Sequence, residues 1–431
     1  MNAPIKPIDL STASKAPADG HQDVRKPSRQ RVALLGLFGC GNFGNDGSLE
    51  AMLNFLRNAH PQAELVCICA DPQLIAARYG IAAVPISSTY EPALRAPASR
   101  LRKLGAKLED LYATLKYLRG ADLVIVPGTG ILDDFGERPY GMPWDILRWC
   151  LGARLLGAKL AFVSIGAGPI HHRLSRQLMK SAARLAHYRS YRDTLSQDFM
   201  TRIGFKAAGD PIYPDIAFGL PFPQPVERPD NNGRLNVGIG VMSYFGWYGF
   251  ADGGREIYDR YIDKLTRFAA YVLDQGHGIR LLAGETTDAR AIEDLRQRLS
   301  AARPQAAPED VVNETAGSLH DIMRQMSTTD IVVTTRFHNL VCALKLGRPT
   351  ISLGYSKKND YLMQQAGLAD FCDHVENFDV DDLIRRFEHM RATAADCAQR
   401  VNANNITIDA QLKAQEAAIS SAFLGVERRA R

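Results

Sequence analysis

The 431-residue sequence has no apolar run of membrane-spanning length. Its best stretch, Leu155 to Gly168, is broken by Lys159 and by glycines. Cysteine is scarce. The seven that occur are scattered, odd in number and without metal-ligand spacing, which argues against a disulfide framework or a metal site and for reduced thiols in a cytoplasm-like compartment. Strong charge of one sign is also missing. A formal +5, from 52 Lys and Arg against 47 Asp and Glu, is too mild for a nucleic-acid partner, yet it suits an anionic small substrate or a nearby anionic membrane surface. Residues 1–30 lack the apolar core of a secretory signal and are rich in Lys, Pro, Ser, Asp and Ala. They read as a disordered tail.

What is present is ordinary globular material, 46% hydrophobic and 23% charged, in a chain long enough for two domains. Strand-like runs at 31–38, 64–70, 82–86, 122–127, 159–165 and 188–191 alternate with helical stretches, the pattern of a parallel sheet covered on both faces. Proline and polar residues crowd Leu220 to Gly233, and a second series follows at 235–241, 278–283, 311–312, 331–334 and 350–353. The expectation is an α/β chain of two Rossmann-like domains facing a central cleft. Residues 31–222 form the first domain, 223–233 the linker and 234–385 the second domain. Residues 386–431 supply helices and a tail that lean back on the first domain.

Glycine marks the carboxyl ends of the first-domain strands. Gly39-Cys40-Gly41-Asn42-Phe43-Gly44-Asn45-Asp46-Gly47 follows the first strand and leads to a helix expected from about Ser48. It contains G-x-G-x-x-G, and Asp71 after the second strand could hold a ribose, so a nicotinamide-dependent oxidoreductase is one reading. Gly41, Asn42, Gly44 and Asp46, with Gly128 and Gly130 and then Gly166 and Gly168, are expected at the cleft. Asp133 and Asp134 are acid/base candidates, or more simply a solvated cap. In the second domain Thr334-Thr335-Arg336-Phe337-His338 ends a β-branched strand. Phe337, Leu340, Val341 and Leu344 then form one apolar helix face. With Thr334 or Thr335 as N-cap, a guanidinium, an imidazole and the positive helix end would converge on an anion. The plainer reading is an arginine on a helix shoulder beside a packed histidine.

Several of these motifs together resemble the polysaccharide pyruvyl transferase family. They are Gly41-Asn42-Phe43-Gly44-Asn45-Asp46-Gly47, Pro127-Gly128-Thr129-Gly130-Ile131-Leu132, Gly166-Ala167-Gly168-Pro169 and Tyr191-Arg192-Asp193 with Ser196. After them come Thr335-Arg336-Phe337-His338 and the run from Ala343 to Thr350 with Tyr355 and Lys357. The resemblance runs in order from about Arg31 to Leu368. It implies a fold like that of the two-domain GT-B glycosyltransferases and a cell-envelope role in exopolysaccharide synthesis. The activity implied is transfer of pyruvate, as a ketal, from phosphoenolpyruvate to a sugar.

By the same resemblance Arg336, His338 and Arg192 hold the donor, with Thr335 and Lys357 beside them. His338, taken to titrate near neutrality, is the acid. Bidentate guanidinium groups match a donor that carries both carboxylate and phosphate. The scheme calls for no cofactor and no metal. It places the enzyme in the cytoplasm, peripheral to the inner membrane where the acceptor is a lipid-linked oligosaccharide. A nucleotide-sugar glycosyltransferase of the same fold and a non-catalytic sugar-binding protein are the rival readings.

Overall fold

The computed structural model describes residues 29–88, 100–134, 138–224, 233–246 and 253–425. Most of the expected tail and most of the linker lie outside them.

Within these residues the first sheet comprises β1 (Arg31–Leu35), β2 (Glu64–Cys69), β3 (Ala82–Pro85), β4 (Leu123–Pro127), β5 (Lys159–Ile165) and β6 (Tyr188–Tyr191). The second comprises β7 (Asn236–Gly240), β8 (Gly278–Leu282), β9 (Val311–Asn313), β10 (Ile331–Thr334), β11 (Thr350–Gly354) and β12 (Cys372–His374). Both are parallel. The first runs β3-β2-β1-β4-β5-β6 and the second β12-β11-β10-β7-β8-β9. Counted within each domain, both follow the order 3-2-1-4-5-6 of the dinucleotide-binding fold, and the expected two-Rossmann architecture is borne out. The sequence reading missed β12, three residues too short to carry a period. β4 and β11 are buried at every position, as strands covered on both faces must be.

Helix starts follow local capping chemistry. Asp71, Asp193, Ser318 and Asp379 each accept a backbone N–H from the first turn of the helix that follows. The first helix, Phe43–Ala59, begins five residues before the expected Ser48, because the Asn42 side chain caps it by accepting from the N–H groups of Gly44 and Asn45. Gly44, Asn45, Asp46 and Gly47 are therefore first-turn helix, not loop.

The two domains touch through their carboxyl edges. Asn42 and Glu285 form an isolated antiparallel bridge, and the Thr286 N–H donates to the Gly41 carbonyl at 3.2 Å. Farther along the seam the Lys345 ammonium donates to the Phe218 carbonyl at 2.7 Å, and His320 meets Glu50. The chain then returns. Val380–Ala392 packs on the second domain, with Phe387 edge-on to Phe268, whereas Ala394–Ile419 crosses over. Gln415 on that last helix is buried in the first domain between Ser164 and Ser190, hydrogen-bonded to both at 2.8 and 3.0 Å. The first half of that helix still lies on the second domain, where Asn405 donates to the Leu344 carbonyl at 2.8 Å and Arg400 to the Gly367 carbonyl at 2.9 Å.

Candidate functional site

Arg192 directly follows strand β6 and leads into the Asp193-capped helix Thr194–Arg202. Its guanidinium lies against Gly166, where a Cβ would come within 2.9 Å of Nη2. It donates from Nη1 to Asp215 at 3.0 Å, lies 3.7 Å from Asp193, and covers the Phe337 ring at 4.5 Å. Its side chain is only 8% exposed, and its Nε has no hydrogen-bond partner. Asp215 is fixed from behind because its other oxygen accepts from the Ala217 N–H.

From the second domain, Arg336 leaves the end of β10. It grips Asp288 with two parallel bonds, Nε at 3.0 Å and Nη2 at 2.6 Å, and Nη2 also meets Glu285 at 2.7 Å. Asp288 is fully buried and also accepts from the N–H groups of Gly284, Glu285 and Ser243. These paired carboxylates hold Arg336 firmly protonated. Arg336, not Thr334 or Thr335, is the N-cap of Phe337–Lys345, and no side chain caps that helix. The two threonines are buried. Thr335 bonds the Gly240 carbonyl and Tyr261 rather than facing a ligand.

His338 occupies the first turn of this helix and projects into the first domain. A Cβ on Gly44 would fall 1.9 Å from its Nδ1, and its Nε2 lies 3.9 Å from Asp215 with no hydrogen-bond partner. Burial, aided by the nearby arginines, pushes its pKa down to about 4 even though Asp215 opposes the shift. The imidazole is therefore neutral at pH 7. This corrects the expectation of a histidine titrating near neutrality.

Lys357 is exposed on the helix Lys357–Gln365. Its neighbour Lys358 turns inward instead, donating to the Gly168 carbonyl at 3.2 Å. Burial and the Arg192 charge bring its pKa down to about 8. The lysine beside Arg192 is thus Lys358. Tyr355 feels both arginines, and burial raises its pKa.

The remaining glycines and acids divide by role. Gly41 receives Thr286, and Gly128, at φ +56°, makes room for Ile216, while nothing stands near a Cβ on Gly130. Gly168, at φ +71°, lies against Phe199. Asp46 turns inward, accepting from the Gly39 N–H at 2.7 Å and pairing with Arg78 at 3.0 Å. Asp71 is a helix cap and not a ribose ligand in this arrangement. Asp134 is buried rather than a solvated cap and accepts from the N–H groups of His171 and His172, while His172 itself caps the helix Arg173–Leu185. Among the described residues no group of three or more His, Cys, Asp or Glu is arranged to hold a metal ion.

Sequence reasoning missed Asp215, Glu285 and Asp288. Gly284-Glu285 at the end of β8 had the same signature as Gly166 after β5, and Gly284 indeed makes room for Arg336 at 2.7 Å. Nothing local marked Asp288. A cavity bounded by Arg192, Asp215, Phe337, Lys358, Tyr361 and Gln411 adjoins this cluster.

Two parallel α/β domains whose carboxyl edges meet across a charged seam define the two-domain class that includes glycosyltransferases and sugar-nucleotide epimerases. A glycosyltransferase from Rickettsia africae superposes with TM-score 0.60 at 8% identity, over 94% of this chain and 100% of that one. The UDP-GlcNAc 2-epimerase of Methanocaldococcus jannaschii gives 0.55 at 12%, over 84% and 92%. SnogD, a glycosyltransferase of Streptomyces nogalater, gives 0.52 at 15%, over 90% and 100%. At such identities the likeness shows the fold alone. No curated protein matches the sequence. Residues 42–357, however, match the polysaccharide pyruvyl transferases, and the chain belongs to that family.

Proposed function

We propose that this chain transfers a pyruvyl group from phosphoenolpyruvate to two hydroxyls of a sugar in a polysaccharide or lipid-linked oligosaccharide, releasing phosphate. The observation that carries the reading is the seam itself. Arg192 from one domain and Arg336 from the other flank a buried imidazole whose Nε2 has no partner. A donor with a carboxylate at one end and a phosphate at the other matches two guanidinium groups supplied from opposite sides. The uncapped start of Phe337–Lys345 adds backbone N–H groups and a positive helix end. Donor entry has one local requirement: its anion must replace Glu285 on Arg336, and Glu285 is the more exposed of that arginine's two carboxylates.

In balance, the enol ester and two hydroxyls become a ketal and phosphate. One hydroxyl proton ends on the former methylene carbon, making it a methyl, and the other on the phosphate. A neutral His338 suits the role of base toward the attacking hydroxyl, and Lys358, still largely an ammonium at neutral pH, that of proton donor. An anionic donor beside His338 raises its proton affinity, so binding draws a proton toward the site. The fixed arginines meet the charge that develops on the leaving phosphate.

Thermal unfolding in the presence of phosphoenolpyruvate, UDP-sugars and NAD provides the test. Stabilisation by phosphoenolpyruvate alone is expected. Stabilisation by a UDP-sugar alone would instead mark a glycosyltransferase, and by NAD an oxidoreductase.

A further inference from the structure

Among the described residues, one face of the helix Arg100–Leu118 stays exposed. Leu108, Leu111, Tyr112 and Leu115 fall at i, i+3, i+4 and i+7, and are exposed by 62, 45, 69 and 37%. Four large apolar side chains in one stripe are not scattered surface hydrophobics. The stripe is held outward. On the opposite face Asp110, Thr114 and Leu118 are buried, the Asp110 carboxylate accepting from the Ser88 N–H at 2.7 Å and its carbonyl from Arg148 at 2.7 Å. Gly152 of the neighbouring helix Met142–Leu155 packs on Thr114, and that helix contributes exposed Leu151 and Leu155.

The charge beside the stripe is predominantly positive. Lys107, Lys116 and Arg119 stand there against the exposed Glu109, while Asp110 is buried and Asp145 lies 3.7 Å from Lys107. An apolar stripe edged by Lys and Arg is the pattern of a helix lying in the headgroup plane of an anionic bilayer. A symmetric contact with a second copy would bring these cations against themselves. The location agrees, since Lys107 donates to the carbonyl of exposed Tyr140, on the loop that follows β4 at the carboxyl edge where the site lies.

We infer that this helix face docks the protein on an anionic lipid bilayer, with the seam's first-domain rim toward the membrane. The inference is independent of the donor's identity. Sedimentation with vesicles of phosphatidylglycerol and of phosphatidylcholine tests it, using the full chain. The protein is expected to pellet with phosphatidylglycerol at least tenfold more than with phosphatidylcholine, less so as salt is raised. Leu108→Glu/Tyr112→Glu/Leu115→Glu should lose that binding at least tenfold while melting at the wild-type temperature, because the stripe supports no core. Lys116→Glu/Arg119→Glu should weaken it severalfold. Equal pelleting of the triple variant and the wild type overturns the proposal. So does a wild type that ignores both vesicles but is a dimer by light scattering, with the triple variant a monomer, because the face would then be a contact between copies.

Discussion

The two carboxyl edges share one topology but are put to opposite uses. At the first-domain edge the helix Phe43–Ala59 starts with its N–H groups taken by Asn42, and its glycines receive side chains from the other domain. At the second-domain edge the helix Phe337–Lys345 starts uncapped, and its first residues carry the arginine and histidine. One edge supplies space, the other charge. A helix start is an anion site only where its N–H groups are free. The edge that carries the dinucleotide fingerprint is therefore the poorer anion site of the two. Arg192 is the exception on the first edge, and it too stands over a glycine, Gly166.

The largest effect should come from the two guanidinium forks. Arg192→Lys and Arg336→Lys keep the charge but lose the bidentate geometry, and each should lower phosphate release from phosphoenolpyruvate by about 100-fold. Loss at one position only would break the symmetry between the edges. Alanine is a poorer test at Arg336, because it strands the buried Asp288 without its partner and would destabilise the domain as well.

Next comes space. Gly44→Ala should drive His338 from its seat and cost about tenfold or more in turnover, with little change in melting temperature, since alanine suits the helix better than glycine. Gly130→Ala, with nothing within 4 Å of the added methyl, should retain wild-type turnover. Equal behaviour of the two would remove the claim that the glycine edge exists to admit the other domain. Lys358→Met and Lys357→Met sharpen the same contrast within one helix turn: about a tenfold loss of turnover for the inward-facing lysine and almost none for the exposed one.

The smallest effect is on stability against pH, where two seam histidines shift in opposite directions. The folded pKa of His338 is down at about 4, so its contribution is fully present above the unfolded value near 6.5 and fades as pH falls toward 4. His320 is raised by its bond to Glu50. Its contribution is complete below 6.5 and is lost as pH rises through the folded value. Urea unfolding across pH 4.5 to 8 should show His338→Gln flattening the acid side and His320→Gln the neutral side.

Much of this was legible because it is periodic. Strands such as Lys159–Ile165 and Tyr188–Tyr191 were read to the residue, and the ordered motifs pointed to the family that the match over residues 42–357 shows. Where reading failed, the deciding contact was distant in sequence. Asn42 as cap shifted a helix start by a local bond, but Asp288 on Arg336 spans 48 residues and His338 on Gly44 joins two domains. Lys357 and Lys358 could not be told apart without knowing which side of the helix faced Arg192. The histidine's neutrality depended on burial, which no spacing reveals.

Titration calorimetry with phosphoenolpyruvate on the wild type, Arg192→Lys, Arg336→Lys and the double variant bears most directly on a donor held between the domains. Each single change should weaken binding by about tenfold or more, and the double variant should bind none that can be measured. Wild-type affinity in either single variant would mean that one domain alone holds the donor, and would contradict the account.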